Sequence, residues 1–243
     1  MLAFCIQSLF REYGWQFLRR VAVPHPVRTT KAVIGASTLD FSDNMTALGT
    51  EGFGCGFGGS RSIVGLGFCL KPLNPPCPSG RSNHDCDYLE NLLSSEAQII
   101  PVSCQACAIR EIGTQTLRTG AAFYIMTSAR DILFDLFTPA LNGGRFTSGL
   151  FLLCRYSLRP FAVGLMASGI RGWLFPFDKG DCRDYRTWLQ ADRGVKDEQT
   201  GINELNRKSI AELLAKAVRE PLPAKQFEKR GNILYPRVAP EKR

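Results

Sequence analysis

The chain has 243 residues, 44% of them apolar, and 30 Lys and Arg against 22 Asp and Glu give a net charge of +8. That size and apolar content suit one domain with a sizeable core and exclude a disordered or fibrous chain. No apolar run approaches the roughly 18–20 residues needed to span a bilayer, which excludes a membrane-spanning helix.

The first residues show neither the charged start nor the small-residue cleavage site of a signal peptide. A cytoplasmic chain is therefore expected. Nine cysteines in such a setting point to thiols and metal rather than to a disulfide framework.

Three segments are expected. The first, 1–68, holds an N-terminal helix and a glycine-rich stretch. Residues 1–22 read as an amphipathic helix, with Phe4, Phe10, Trp15, Phe17 and Leu18 as its apolar positions and Arg11, Arg19 and Arg20 alongside. Residues 32–35 (AVIG) read as a short strand. In the stretch 49–60, Gly54, Gly56 and Gly59 match GxGxxG in form only. No strand pattern precedes them and no helix pattern follows, so a dinucleotide fingerprint is not expected.

The second segment, 69–200, is a cysteine-rich α/β core. Residues 69–86 (CLKPLNPPCPSGRSNHDC) bring Cys69, Cys77, Cys86 and His84 together among prolines and polar residues, so the stretch reads as a loop. Four apolar strands then alternate with helices: 97–104, 121–126, 150–154 and 172–177. This alternation implies crossover connections and an open, mostly parallel, Rossmann-like sheet with helices on both faces.

In a parallel sheet the carboxyl ends of the strands share one edge, with neighbouring strands about 4.8 Å apart. Cys104 and Cys154 end two of the strands, and Cys182 follows a third by a short loop. They are expected to converge there, where open α/β sheets bind ligands. Cys104-Gln-Ala-Cys107 reads as the opening of a helix with Ile109, Ile112 and Leu117 on its apolar face and Gly120 at its end. That spacing places both sulfurs on one face of the first turn. Ser128 and Asp131 resemble a capping box, and Ser157 is a candidate cap for the helix ending near Gly169.

After Cys182, residues 183–192 read as a helix. The third segment, 201–243, holds a helix over 203–219 and a basic tail from Pro221 with four prolines, expected to be extended and solvated.

Thiolate is the soft ligand that selects iron–sulfur clusters, zinc or copper(I). One CxxC with single cysteines at strand ends suits a [4Fe–4S] cluster better than a zinc ribbon, which brings two CxxC pairs together. The expected ligands are Cys104, Cys107, Cys154 and Cys182, with Cys69, Cys77 and Cys86 as a second set. His84 reads more naturally as a hydrogen-bonding loop histidine.

Residues 69–182 resemble the cysteine-rich family catalogued as domain of unknown function number 116, found in archaea and anaerobic bacteria. The resemblance rests on Cys69-Leu70, Cys77-Pro78, Cys104-Gln-Ala-Cys107-Ala-Ile109, Leu153-Cys154 and Gly180-Asp181-Cys182, with GAAFYIM between. The glycine usual inside the CxxC is absent, and Leu153 stands where the family has alanine. The resemblance implies a cysteine-ligated cluster of the iron–sulfur type, and it assigns no reaction.

The leading expectation is a cytosolic iron–sulfur protein, acting in redox or assisting a partner enzyme through one or two [4Fe–4S] clusters. Two rivals stand beside it. One is a structural zinc protein that contacts nucleic acid, although aromatics are not interleaved with Lys and Arg in a binding motif. The other is an enzyme using the crevice at the sheet edge, with Ser128, Arg130, Asp131, Asp181 and Arg183 nearby. No catalytic constellation can be assembled around the two histidines, His25 and His84.

Overall fold

Seven strands form one sheet in the order β1-β5-β4-β2-β3-β7-β6. The structure is a computed structural model that describes residues 12–41, 44–49, 57–91, 100–218 and 226–237. Four parallel strands make its centre: β2 (Ser62–Gly67), β3 (Ala122–Met126), β4 (Ser148–Leu153) and β5 (Arg171–Pro176). β1 (Thr46–Leu48) adds antiparallel to β5. At the far side β6 (Gln226–Arg230) and β7 (Ile233–Arg237) form a hairpin whose second strand pairs antiparallel with β3. The sheet thus draws on all three segments of the sequence.

The central strands are nearly all apolar because both of their faces are covered. Every residue of β2, β3 and β4 is buried. Along β2, Ile63 packs into one core cluster and Val64 and Leu66 into the other, as the period of two requires.

Each face carries its own helices. On one lie α5 (Ala108–Thr119), α9 (Tyr185–Asp192) and α10 (Glu204–Ala217), which bury Ile109, Ile112, Trp188, Ile210 and Leu214. On the other lie α2 (Pro26–Thr38) and α8 (Arg155–Ser168), which pack together and bury Ala32, Ala36, Leu158 and Phe161. Full burial of each such large side chain stabilises by about 1.5–3 kcal/mol. Shorter pieces complete the chain: α1 (Glu12–Phe17) with a π-turn to Ala22, α3 (Asp87–Glu90), α4 (Val102–Gln105), α6 (Ala129–Ile132) with a π-turn to Phe137, and α7 (Thr138–Leu141).

Several expectations hold. Residues 12–22 are helical, Ser128 caps α6, and left-handed Gly120 and Gly169 end α5 and α8. Residues 1–11 and the Gly54 and Gly56 of the glycine-rich stretch lie outside the described residues.

Three expectations do not hold. Residues 32–35 belong to α2. Val33 and Ile34 favour a strand locally, but Pro26 starts a helix, and Ala32 and Ala36, one turn apart, let it approach α8 closely. The described part of 97–104 is not a strand: Ile100 and Pro101 are irregular and Val102–Gln105 is helical. Pro101 has no N–H to give a central ladder. The missing central strand is β2, in the apolar run that leads into Cys69.

The tail is the third correction. Residues 226–237 form the hairpin β6–β7, with Phe227 and Leu234 buried at 1% and 0% exposure. Asn232 donates to Asp135 at 2.9 Å, and Lys229 pairs with Asp85. The hairpin covers the edge of β3, which would otherwise present unpaired backbone groups.

Candidate functional site

The chain leaves β2 towards β3 on one side and returns past it to β4 on the other. The carboxyl ends of β2 and β4 are therefore a topological switch point, the usual ligand crevice of an open α/β sheet. A cavity of about 90 Å³ opens there, lined by Gly67, Cys69, Thr127, Cys154, Cys182 and Trp188 among others.

Cys154 follows β4 directly and is the N-cap of α8, with its sulfur 2.8 Å from the Ser157 hydroxyl. Ser157 thus sits inside the helix and is not its cap. The Asp181 carboxylate accepts the first free amide, that of Arg155, at 3.0 and 3.1 Å. An acidic group at a helix N-terminus is favourable there.

Cys182 arrives by a turn at Gly180, whose φ of +62° favours glycine. A Cβ at Gly180 would also lie 2.6 Å from the Gln199 carbonyl. Lys179 bridges to Gly201 across the same loop. This closure brings the segment 196–200 onto the thiols. Lys196, only 8% exposed, points its ammonium at the Cys182 sulfur at 3.9 Å.

The three thiols differ electrostatically. A hydrogen bond from the Cys154 thiol, and then the charge of Lys196, hold the Cys182 thiol below its ordinary pKa against the opposing effect of burial. Cys154 is pushed well up by that same hydrogen bond and by its burial, so it keeps the shared proton. Burial raises Cys69 to about 11, partly opposed by a hydrogen bond from Thr200. Of the two, Cys182 is the more easily deprotonated.

A second group of thiols forms elsewhere. Cys86 has Cys107 and Cys77 as electrostatic neighbours, Cys104 has Cys77, and Cys107 has Cys104 and Cys77. Cys77 sits in the loop after β2, Cys86 is the N-cap of α3, Cys104 lies in α4, and Cys107 is the N-cap of α5. Burial is the main cause that raises Cys86, to about 12, and that also raises Cys104 and Cys107.

The nearby amides of Leu89 for Cys86 and of Arg110 and Ile109 for Cys107, and the Ser103 hydroxyl for Cys104, oppose the effect of burial, while neither Cys86 nor Cys107 makes a side-chain cap hydrogen bond to its helix. Lys71 lies beside the group at 1% exposure, its ammonium donating to the Gly80 carbonyl at 3.0 Å and to Asn83. Burial lowers its pKa, and the nearby Cys77 and Cys86 oppose that.

The expected grouping is thus redrawn. The structure brings Cys104 and Cys107 to Cys77 and Cys86, and it brings Cys154 and Cys182 to Cys69. The cause is the strand order: β2 stands beside β4, so Cys69 lands next to Cys154, whereas the CxxC does not end a strand. Nor do its sulfurs share the first turn of one helix, because Cys104 and Cys107 fall in separate elements.

His84 is a hydrogen-bonding loop histidine as expected. Its Nδ1 lies 2.7 Å from the Ile125 carbonyl and its Nε2 3.1 Å from the Thr127 hydroxyl. Thr127 and Ser128 both donate to Asp131, at 2.6 and 2.7 Å. Among the other crevice candidates, Asp181 is committed to α8, Arg130 lies 5.8 Å from the Phe134 ring centre, and Arg183 is exposed. The sequence reading missed Lys71 and Lys196. Both sit in polar loops where lysine is ordinary, and only the fold reveals their burial.

Among the described residues, no three His, Cys, Asp or Glu side chains stand close enough to hold a single metal ion. Comparison with protein-family models, with curated proteins and with solved structures gives no match to this chain.

Proposed function

We propose that this chain is an iron–sulfur protein that holds a [4Fe–4S] cluster on Cys77, Cys86, Cys104 and Cys107. It would act in redox or as an accessory to a partner enzyme. The observation that carries this reading is that four free cysteines, Cys77, Cys86, Cys104 and Cys107, share one electrostatic neighbourhood with the buried Lys71 beside them. Thiolate is the soft ligand that selects iron–sulfur clusters.

Two further features fit. A [4Fe–4S] cluster takes four cysteine ligands, the number gathered here as free thiols. Lys71, buried beside it, supplies positive charge against thiolate ligands. The resemblance of residues 69–182 to the cysteine-rich family points the same way, and free buried thiols suit a reducing compartment such as the cytoplasm.

When bound, the cluster supplies one-electron transfer. The protein's part is to bury it and to place Lys71 beside it. The test is iron and sulfide content of protein purified without oxygen, for the wild type and for Cys107→Ser. Loss of iron in that variant with the fold retained supports the assignment. Unchanged iron content defeats it.

A further inference from the structure

The crevice at the switch point holds a second thiol chemistry that shares no residue with the four cysteines of the proposed cluster. We propose that Cys182 and Cys154 form a thiol–disulfide exchange pair, with Cys182 the attacking sulfur, Cys154 the resolving one, and a small apolar disulfide as substrate.

Four observations carry this. Cys154 and Cys182 line the same small cavity, and each acts on the titration of the other. Lys196, buried and aimed at Cys182 at 3.9 Å, favours charge on that sulfur and not on its partner. Both thiols line a cavity whose other walls are mostly apolar, including Phe161, Phe177 and Trp188, with Thr127, Ser157 and Asp192 as polar members. The pair also sits where α/β folds bind their ligands. The lowered pKa of Cys182 agrees with the assignment, because the thiolate is the nucleophile.

The steps balance as follows. The Cys182 thiolate attacks one sulfur of R–S–S–R′, forming Cys182–S–S–R and expelling R′–S⁻. The proton of Cys154 passes to that leaving thiolate. The Cys154 thiolate then attacks the Cys182 sulfur, the Cys154–Cys182 disulfide forms, and R–S⁻ leaves to take a proton from water. The substrate disulfide gains two electrons and the protein pair loses them.

Cavity size limits the substrate. A dry cavity of roughly 150 Å³ accepts benzene, and this one is about 90 Å³. It has room for a short alkyl arm. The substrate class is a disulfide with at least one small apolar substituent.

The test treats the reduced full-length protein with diethyl disulfide and maps its cysteines by peptide mass spectrometry. Wild type is expected to give a Cys154–Cys182 cross-linked peptide and to release ethanethiol. Cys154→Ser is expected to stop at an ethylthio adduct on Cys182, and Cys182→Ser to form neither product. Lys196→Met is expected to slow cross-linking several-fold, with circular dichroism confirming the fold. Oxidised glutathione, bulky and charged, is expected to react more slowly than diethyl disulfide.

A stable ethylthio adduct on wild-type Cys182 would overturn the resolving role of Cys154. Cross-linking as fast in Lys196→Met as in wild type would overturn the activation of Cys182. Glutathione reacting as fast as diethyl disulfide would overturn the apolar substrate class. Iron content of the same samples reports on the other four cysteines, so the two proposals fail separately.

Discussion

Phe123 and Phe227 stack with ring centroids 5.8 Å apart, and through them the hairpin at the end of the chain becomes part of the central sheet. Both rings are fully buried. Phe227→Ala leaves a cavity as well as losing transfer energy, so it should cost about 3–5 kcal/mol of stability. Urea denaturation measures this. A loss well under 1 kcal/mol would mean that the hairpin is not docked.

The Cys182 sulfur depends on two neighbours, and their removal should have graded effects. Without the hydrogen bond from Cys154, in Cys154→Ala, its titration should move up most. Without the nearby charge, in Lys196→Met, it should move up less. One pKa unit corresponds to about 1.36 kcal/mol. The pH profile of Cys182 alkylation by iodoacetamide reads both shifts. An unmoved profile in Cys154→Ala would contradict the shared proton.

Asp131 should shape the acid limb of stability. Burial pushes its pKa up, but hydrogen bonds from Thr127 and Ser128, with the neighbouring His84, bring it below the ordinary value. A carboxylate lowered on folding stabilises above its unfolded pKa of about 3.9, and that stability is lost as pH falls through the folded value. The advantage of wild type over Asp131→Asn should therefore be full at neutral pH and shrink below about pH 4. Thermal melts between neutral and acidic pH test this. An advantage that stays constant into that range would show that Asp131 is not depressed.

The redrawn cysteine groups predict different consequences for two single changes. Cys86→Ser removes a proposed cluster ligand and should lower iron content sharply. Cys69→Ser touches the crevice instead and should leave iron unchanged. Equal iron loss in both variants would mean that the two thiol groups are one site.

The α/β architecture was legible because buried parallel strands are apolar runs: 121–126, 150–154 and 172–177 overlap observed strands. The carboxyl edge as the place of Cys154 and Cys182 was legible for the same reason. The central strand was not. Ser62–Gly67 carries three small residues and lies next to a glycine-rich stretch, so its pattern is weaker than that of residues 97–104, which Pro101 disqualifies. With that strand misplaced, Cys69 could not be set beside Cys154.

Tertiary packing hid the rest. Val33 and Ile34 favour a strand locally, and only the docking of α2 on α8 makes them helical. The hairpin at 226–237 lies in a proline-containing basic tail whose apolar positions, Phe227, Ile233 and Leu234, are too few to declare a strand. Lys71 and Lys196 carry no sequence signal at all, because burial of a lysine is a property of the fold.

The most direct test of the central claim is iron and acid-labile sulfide analysis, with a visible spectrum, on full-length protein purified without oxygen. The account predicts about four iron and four sulfide per chain, with broad absorption and with both signals lost in Cys107→Ser. Zinc without sulfide, or iron that survives that substitution, would contradict it.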